Sequence, residues 1–559
     1  MKGKKRKARF KVLEAGKFQY HNIIAFDIET KTGENSEKGS FLFGGMFNGK
    51  QYIYFTDREK MREYMCRTGF AGVTFVAHNL EYDLNRIFLD DPDIIRYYLG
   101  SRFIFAKYPL KNGWNANQAG NEVKQSFNYI NYYDTSALSY YQPLAVLGEK
   151  LGIPKFEARF DDRITQEAID YNRRDCEICF KYAVDMQETL NKWGTGWRGT
   201  AAGISFEYYR RGFMPECAEY WAIPESIIKD FRDAYYGGRN EVFNFGKFDK
   251  VFYYDINSSY PFAMTKDMPL LDSWVNKANL DKDGVCFCEI TCPDMMFPPL
   301  PVRREKLIFP IGNWTGMYCN NELRAMMERV PGLKVKIIKG IHYKKSYPIF
   351  RDYIEHMYKK RKESKNESDK LLLKLLMNSL YGRFGLSSEL EKIQGGLREK
   401  ITGSKVYANV LWAAYITAYA RIELFDLIRK TQSIYCDTDS SLTETRIETS
   451  SELGGVSLKG KFTDFHARGN KFYYYTEDGK KKRRIKGISE KAVETAPNVW
   501  ENEQPVKYRS AKARDIPLFS WIKVTKHLDT NYDKRIIMKD GSTRAIRLDE
   551  KMTDWRETQ

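Results

Sequence analysis

Ser433-Ile434-Tyr435-Cys436-Asp437-Thr438-Asp439-Ser440-Ser441-Leu442 sets two carboxylates one residue apart, in a turn whose flanking residues suit the arms of a strand-turn-strand. Taken alone, an Asp-Thr-Asp is an ordinary solvated turn. Its weight comes from Asp255, which ends a strand-like run, Lys250-Val251-Phe252-Tyr253-Tyr254-Asp255, far upstream. Carboxylates converging from distant segments suit hard divalent cations, which take oxygen ligands, and through them phosphoryl chemistry.

Between these acids lies a long charged-to-apolar helix, expected over about 353–381 with its middle broken near Ser364–Ser368. A second helix is expected from Val406 to Lys430. Lys370, Lys374, Asn378 and Tyr381 share one stripe of the first helix, while Leu371, Leu372, Leu375 and Leu376 form its core side. A face of lysine, asparagine and tyrosine suits a triphosphate, a sugar and a base in sequence. Arg361 and Lys362, just before the stripe, are candidates for the same phosphates, the first by a bidentate fork and the second as a point charge. A solvated charge run is the competing reading for either one alone.

A second set of acids stands near the start of the chain. Ile23-Ile24-Ala25-Phe26-Asp27-Ile28-Glu29-Thr30 reads as an apolar strand, on which Asp27 and Glu29 point to one face. His78-Asn79-Leu80-Glu81-Tyr82-Asp83 supplies Asp83, and Tyr171-Asn172-Arg173-Arg174-Asp175 puts Tyr171 and Asp175 one helical turn apart. Each acid alone is a surface residue or a cap. In this order and spacing, four acids from three segments suit two metals acting on a phosphate, with a tyrosine to orient a water.

The remaining bulk features agree. At 559 residues the chain needs two to four domains. Lys plus Arg outnumber Asp plus Glu by 91 − 73 = 18, which favours a polyanionic partner, either nucleic acid or an acidic membrane surface. No apolar run is long enough to span a bilayer, so no membrane association through a span is expected. The basic start lacks the apolar stretch of a signal peptide. Nine cysteines, an odd number, argue against a disulfide framework and for a reducing cytoplasm rather than secretion. Cys176-Glu177-Ile178-Cys179 reads as two helix positions. Residues 1–20 read as a basic arm, and alternating strand and helix patterns from Ile23 to about Trp193 read as an α/β domain ending at Gly194-Thr195-Gly196.

The whole set resembles the family B DNA polymerases, most closely the protein-primed branch of phages of podovirus or tectivirus type. Asp27-Ile28-Glu29, the run Asn79 to Asp83, and Tyr171 with Asp175 are similar to the three exonuclease motifs. Asp255 to Pro261, Lys374 to Gly382 and Tyr435 to Ser440 are similar to polymerase motifs A, B and C. Tyr235-Tyr236-Gly237-Gly238 is similar to the Tyr-x-Gly-Gly element, and Lys471-Phe472-Tyr473 to the Lys-x-Tyr element.

The resemblance implies a multidomain α/β and α+β fold. It would hold an RNase H-like 3′→5′ exonuclease domain over 21–195, then a right-hand polymerase over 196–559. The implied parts are a palm (235–295 and 407–470), an insertion for a terminal protein (about 295–355), fingers (356–406) and a thumb (471–559). Asp27, Glu29, Asp83 and Asp175 would hold the exonuclease metals, with Tyr171 and Lys155 assisting. His78, Asn79, Tyr82 and Thr135 would hold single-stranded DNA. Asp255, Asp439 and Asp437 would hold the polymerase metals. Tyr260 would be the steric gate, and Lys374, Asn378, Tyr381, Arg361 and Lys362 would meet the incoming deoxynucleoside triphosphate (dNTP). Tyr235, Gly237, Gly238, Lys471 and Tyr473 would hold primer-template DNA.

The implied cofactors are two Mg²⁺ (or Mn²⁺) per site. The implied partners are DNA and a terminal protein, and the implied state is a monomer in the host cytoplasm, replicating a viral or plasmid genome. Two departures stand out. Only some twenty residues separate Gly385 from Tyr407, which shortens the second insertion of the branch. Ser136 replaces the leucine usual beside Thr135. Lys480-Lys481-Lys482-Arg483-Arg484, after a turn at Glu477-Asp478-Gly479, reads as a basic hairpin over DNA or as a solvated tip. Beyond about 490 the match fades into a basic tail suited to phosphate contact. The alternatives are a nucleic-acid-primed or primer-independent polymerase, an exonuclease whose polymerase half only binds DNA, or a non-enzymatic DNA-binding protein.

Overall fold

The strand Ile23–Thr30 (β1) buries Phe26 and Ile28 on one face and Ile23 and Ala25 on the other, so both sides of its sheet must be covered. It pairs in parallel with Thr74–Ala77 and antiparallel with Phe41–Phe47 inside a nine-stranded mixed sheet. Helix α1 (Leu80–Phe88) packs its Leu80, Leu84 and Ile87 with Phe26. On the opposite face lies α2 (Gln166–Lys192), capped by Thr165 and bringing Cys176, Cys179 and Ala183 against Ala25. Cys176 and Cys179 are buried helix positions, as their spacing suggests. The helix ends where the sequence turns to Gly194, whose φ is 65°.

In this computed structural model the described residues are 23–32, 39–89, 91–110, 128–157, 162–218, 225–386, 390–401, 409–489, 492–516, 520–528 and 532–549. The basic arm expected over 1–20 lies outside them.

The second large sheet has seven strands centred on β2 (Gly246–Ile256). Two helices run before its remaining strands. Arg351–Glu363 and α3 (Glu367–Phe384) are the expected long helix, broken at Ser364–Asn366, where the Asn366 side chain accepts from Ser368 N at 2.8 Å. Helix α4 (Val410–Thr431) starts at the Asn409 cap rather than at Val406 and is buried on nearly every side. The chain then adds β3 (Tyr435–Asp437), β4 (Ser440–Thr443) and β5 (Val456–Gly469). β4 and β5 flank β2, and β3 pairs on β4's far side.

Strand pairing cuts across the divisions expected from sequence. Gly284–Cys292, expected in the palm, pairs along its length with Ile311–Cys319 and Lys334–Tyr343 in a separate five-stranded sheet. The hairpin Leu390–Gln394/Leu397–Lys400, expected in the fingers, joins the first sheet by pairing with Ile95–Leu99. Of the expected thumb, Phe472–Glu477 and Lys480–Ile485 extend the seven-stranded sheet, with the predicted hairpin turn between them. Val493–Ala496, Val499–Pro505 and Trp521–His527 form a sheet of their own, and Arg547–Asp549 returns to pair with Ile311–Cys319. These pairings join segments far apart in sequence, which local periodicity cannot report. No helix among the described residues is long and apolar enough to cross a membrane.

A buried ion pair ties the second sheet's helix to its neighbours. Arg421 of α4 forks onto Glu322, Nε to Oε1 and Nη2 to Oε2, both at 2.7 Å. Its Nη1 also donates to the carbonyls of Tyr236 and Gly237, at 2.7 and 3.1 Å. Both side chains are essentially excluded from water, so removing one partner strands a buried charge. Glu322→Ala is expected to cost ~3–5 kcal/mol of stability, read as a lowered urea midpoint.

Candidate active sites

The seven-stranded sheet gathers the later acids by register. Ser440 lies opposite Asp255 on β2, and Asp437 lies opposite both Ser440 and Asn240. The turn between β3 and β4 puts Thr438 at φ 65° and lets Asp439 O accept from Ile256 N at 2.8 Å. Asp255, Asp437 and Asp439 therefore share one end of the sheet. Gly238 makes room for this turn: a Cβ there would sit 2.9 Å from Thr438 Cγ2. Asn240 Nδ2 donates to Asp437 Oδ1 at 2.9 Å, and Lys471 Nζ forms an ion pair with Asp437 Oδ2.

Helix α3 faces this end. Tyr381 stacks on Tyr260, ring centroids 4.4 Å apart and planes within 4°. Lys374 lies in electrostatic range of Asp255 and Arg361. Lys362 is turned elsewhere: its Nζ bonds both oxygens of Glu452 at 3.1 Å. Tyr235 packs its ring end against Gly385 at the end of α3. Gly237 is open on the side its Cβ would occupy. Tyr473 packs on Tyr435, with centroids 5.6 Å apart.

The first sheet gathers the earlier acids. Asn172 Nδ2 bridges Asp27 Oδ2 and Glu29 Oε1 at 3.0 and 3.2 Å, and Asn172 Oδ1 accepts from the Tyr52 hydroxyl at 2.9 Å. Asp83 Oδ1 accepts from Ile28 N at 3.3 Å, which fastens α1 to β1. Lys155 Nζ forms an ion pair with Asp175 Oδ2 and lies 4.2 Å from the Tyr171 ring centre. Asn79, at φ 69°, opens α1, and the Tyr82 hydroxyl meets Thr30 Oγ1 at 2.8 Å. Thr135 is fully buried and spends its hydroxyl on Ala77 O and on His78 Nδ1, each at 3.1 Å. It therefore positions His78 instead of meeting a strand itself.

Sequence reasoning did not find Asn172, Asn240 or Tyr140. The first two lie beside residues it did name and had no acid's signature. Tyr140 is the surprise. Its hydroxyl donates to Lys374 O and accepts from Asn378 Nδ2, both at 2.8 Å, so a residue of the N-terminal unit sits on the nucleotide stripe of α3.

The donor sets are all oxygen, as Mg²⁺ or Mn²⁺ requires. Asp175 Oδ1 is buried with no hydrogen-bond partner, an acceptor that an ion would satisfy. Among the described residues no three acidic, His or Cys side chains converge on one point as they stand. They share fields instead. Burial, then Glu29, Asp83 and Asp175, hold the Asp27 carboxyl well above the usual carboxylate range. Burial raises Glu29 to about 7, against the Asn172 hydrogen bond. Burial, then Asp255 and Asp437, raise Asp439 to about 7. Such crowding is costly without a cation and favourable with one.

Residues 117–449 match the family model described as DNA polymerase type B, organellar and viral. A probable DNA polymerase of Podospora anserina is 32% identical over 213 residues, covering 37% of this chain and 17% of that protein. The chain spans about a third or less of the fungal relatives it matches. The DNA-directed DNA polymerase of Enterobacteria phage PRD1 is 24% identical over 514 residues, 84% of this chain and 86% of that one. Among solved structures, phi29 DNA polymerase in complex with primer-template DNA and incoming nucleotide superposes with a TM-score of 0.68. It is 16% identical over 92% of this chain and all of that one. The two proteins share one overall fold.

The raised carboxyls make a stability prediction. A carboxyl whose folded pKa exceeds its unfolded value binds more protons folded than unfolded, so it lowers stability as pH rises from about 4 to about 7. In divalent-metal-free buffer, Asp439→Asn should match the wild type at or below about pH 4. It should exceed it by on the order of 3 kcal/mol at pH 8, and Mn²⁺ should close the gap. Thermal unfolding at the two pH values measures both.

Proposed function

The chain belongs to the type B DNA polymerases of organelles and viruses, and from that premise we propose that it is a DNA-directed DNA polymerase with a 3′→5′ proofreading exonuclease. The observation that carries this reading is the pair of separate, partly buried carboxylate sets, Asp27/Glu29/Asp83/Asp175 about the first sheet and Asp255/Asp437/Asp439 on the second.

In the polymerase site Asp255, Asp439 and Asp437 would hold two Mg²⁺ (or Mn²⁺), which would supply charge neutralisation at the transferring phosphate and a lowered pKa for the primer hydroxyl. The chain's own residues position the reactants. Lys374 and Arg361 carry cationic charge toward the triphosphate, and Asn378 and Tyr381 line its sugar and base. Tyr260, locked face to face with Tyr381, stands where a 2′-hydroxyl would press on its ring. Lys471 and Tyr473 hold the primer end beside Asp437. Lys362, held by Glu452, joins the phosphates only if that pair opens.

In the exonuclease site Asp27, Glu29, Asp83 and Asp175 would hold the same kind of ions. Tyr171 orients the attacking water, and Lys155 balances the charge at Asp175. Asn79, Tyr82 and His78 line the path of a single strand.

The exonuclease domain covers 21–195 and the polymerase 196–559, with the insertion at about 295–355 and its sheet sharing the strand Gly284–Cys292. Likeness to the protein-primed branch, compact length and this five-stranded insertion support priming by a terminal protein seated on the insertion. A monomer replicating a viral or plasmid genome in the host cytoplasm completes the reading.

Primer extension and single-strand degradation, assayed side by side, test it. Asp439→Ala should lower extension by ~10³-fold and spare degradation, and Asp27→Ala should do the reverse. Extension surviving Asp439→Ala would refute the site. Tyr260→Val should raise ribonucleotide incorporation by ~10-fold or more relative to deoxynucleotide, measured as the ratio of the two kcat/KM values.

A further inference from the structure

Strand β5 pairs with β2 in a register that breaks beside the catalytic end. Ser457 faces Asp255, Leu458 faces Tyr254, and Gly460 then faces Tyr253. Lys459 is the extra residue of a β-bulge, the device that re-aims a side chain out of the regular alternation. Here it aims at the acids: Lys459 Nζ stands 3.9 Å from Asp255 Oδ1 and donates to Asn257 Oδ1 at 3.4 Å. Gly460 permits the bulge, since a Cβ there would lie 2.7 Å from Phe462 and 2.9 Å from Glu477 Oε1.

Stability does not account for this arrangement. Lys459 is 44% exposed on its side chain and its pair with Asp255 is loose, the kind of surface contact that contributes little. Asn257 does not need it either. Its Oδ1 already accepts from Ser457 Oγ at 2.7 Å, and its Nδ2 donates to Ser450 O and Glu452 O at 2.7 and 3.3 Å. What Lys459 does have is position. It and Lys374 are the cations whose fields fall on Asp255, whereas Lys471 is committed to Asp437.

Asp255 cannot hold Lys459 and a divalent cation on the same oxygen without strong repulsion between the two. Lys459 then has to turn away, and the polyanion within reach is a triphosphate lying between β2 and α3. We propose that Lys459 is a phosphate ligand of the nucleotide site, resting on Asp255 until a nucleoside triphosphate arrives and then moving onto its phosphates. The inference rests on the polymerase reading above and adds a ligand from β5, outside the motifs that carry that reading.

The test compares full-length wild type, Lys459→Met, Lys459→Gln, Lys459→Arg and Asp439→Ala. In single-nucleotide extension, both neutral variants should raise KM for dNTP by ~10-fold or more with kcat within ~3-fold. Lys459→Arg should restore KM to within ~3-fold. The second readout needs no turnover: inorganic tripolyphosphate with Ca²⁺ should raise the melting temperature of wild type and Lys459→Arg, and not that of the neutral variants. Unchanged KM and an unchanged melting shift in Lys459→Gln would overturn the proposal. So would an arginine variant as impaired as the methionine one, which would mark a packing role. Extension that persists in Asp439→Ala would instead sink the polymerase reading, while the tripolyphosphate shift would still report on Lys459.

Discussion

The antiparallel pairing of β4 with β2 fixes everything at the later site. With Ser440 opposite Asp255, the turn that follows β3 has to fall beside the end of β2, which brings Asp437 and Asp439 to the end of the sheet that carries Asp255. A slip of one residue would send Asp255 to the other face of the sheet. The pairing is held from beneath by residues with no role in the chemistry. Ser433, Ser441 and Thr431 form a buried hydroxyl chain with bonds of 2.8 and 2.9 Å, which leaves no freedom for β4 to shift. Arg421 fastens the 236–237 carbonyls, which lead into Gly238, and Gly238 packs on the Thr438 turn. The electrostatic cost of crowding acids is therefore borne by a scaffold of ordinary hydrogen bonds and one buried ion pair.

The earlier site solves the same problem differently. Its acids come from a strand and two helices, so register alone cannot gather them. Backbone and amide bonds do so: Ile28 N reaches Asp83, and Asn172 clasps Asp27 and Glu29 together. An asparagine is the suitable clasp because its amide donates to both carboxylates without adding charge that would compete with a cation. Lysine does the complementary work at each site's margin, Lys155 on Asp175 and Lys471 on Asp437. Each lysine is more exposed than the acid it pairs with, so the cation withdraws more readily than the acid.

The sequence made the acids legible because each sits in a local pattern: alternation on β1, a helical turn between Tyr171 and Asp175, a strand-turn-strand around Asp437. The break before α3 was legible too, since Asn366 is a capping residue within a polar run. What stayed hidden was pairing across long separations. Gly284–Cys292 has the same alternation in either sheet, and only its partners decide which one it joins. The Leu390–Lys400 hairpin looked like part of the fingers because it follows α3 in sequence, yet its hydrogen bonds go to Ile95–Leu99. Thr135, expected to hold single-stranded DNA, is core, with its hydroxyl turned onto Ala77 O and Cys179.

That hairpin and Tyr140 together change how the two halves relate. Extending a nine-stranded sheet with a hairpin that hangs from α3 means the N-terminal unit and the nucleotide helix share backbone hydrogen bonds through one connection. Tyr140 adds a side-chain clasp at the other end, on Lys374 O and Asn378. Lys374 and Asn378 are the residues proposed to meet the triphosphate and its sugar. A nucleotide that engages Asn378 therefore competes with Tyr140 for the same amide, and the α3 stripe is contacted from the N-terminal unit before any substrate is bound. The units of the two proposed activities are thus joined at the helix proposed to meet the nucleotide, by contacts whose partners lie 234 and 238 residues apart in the chain.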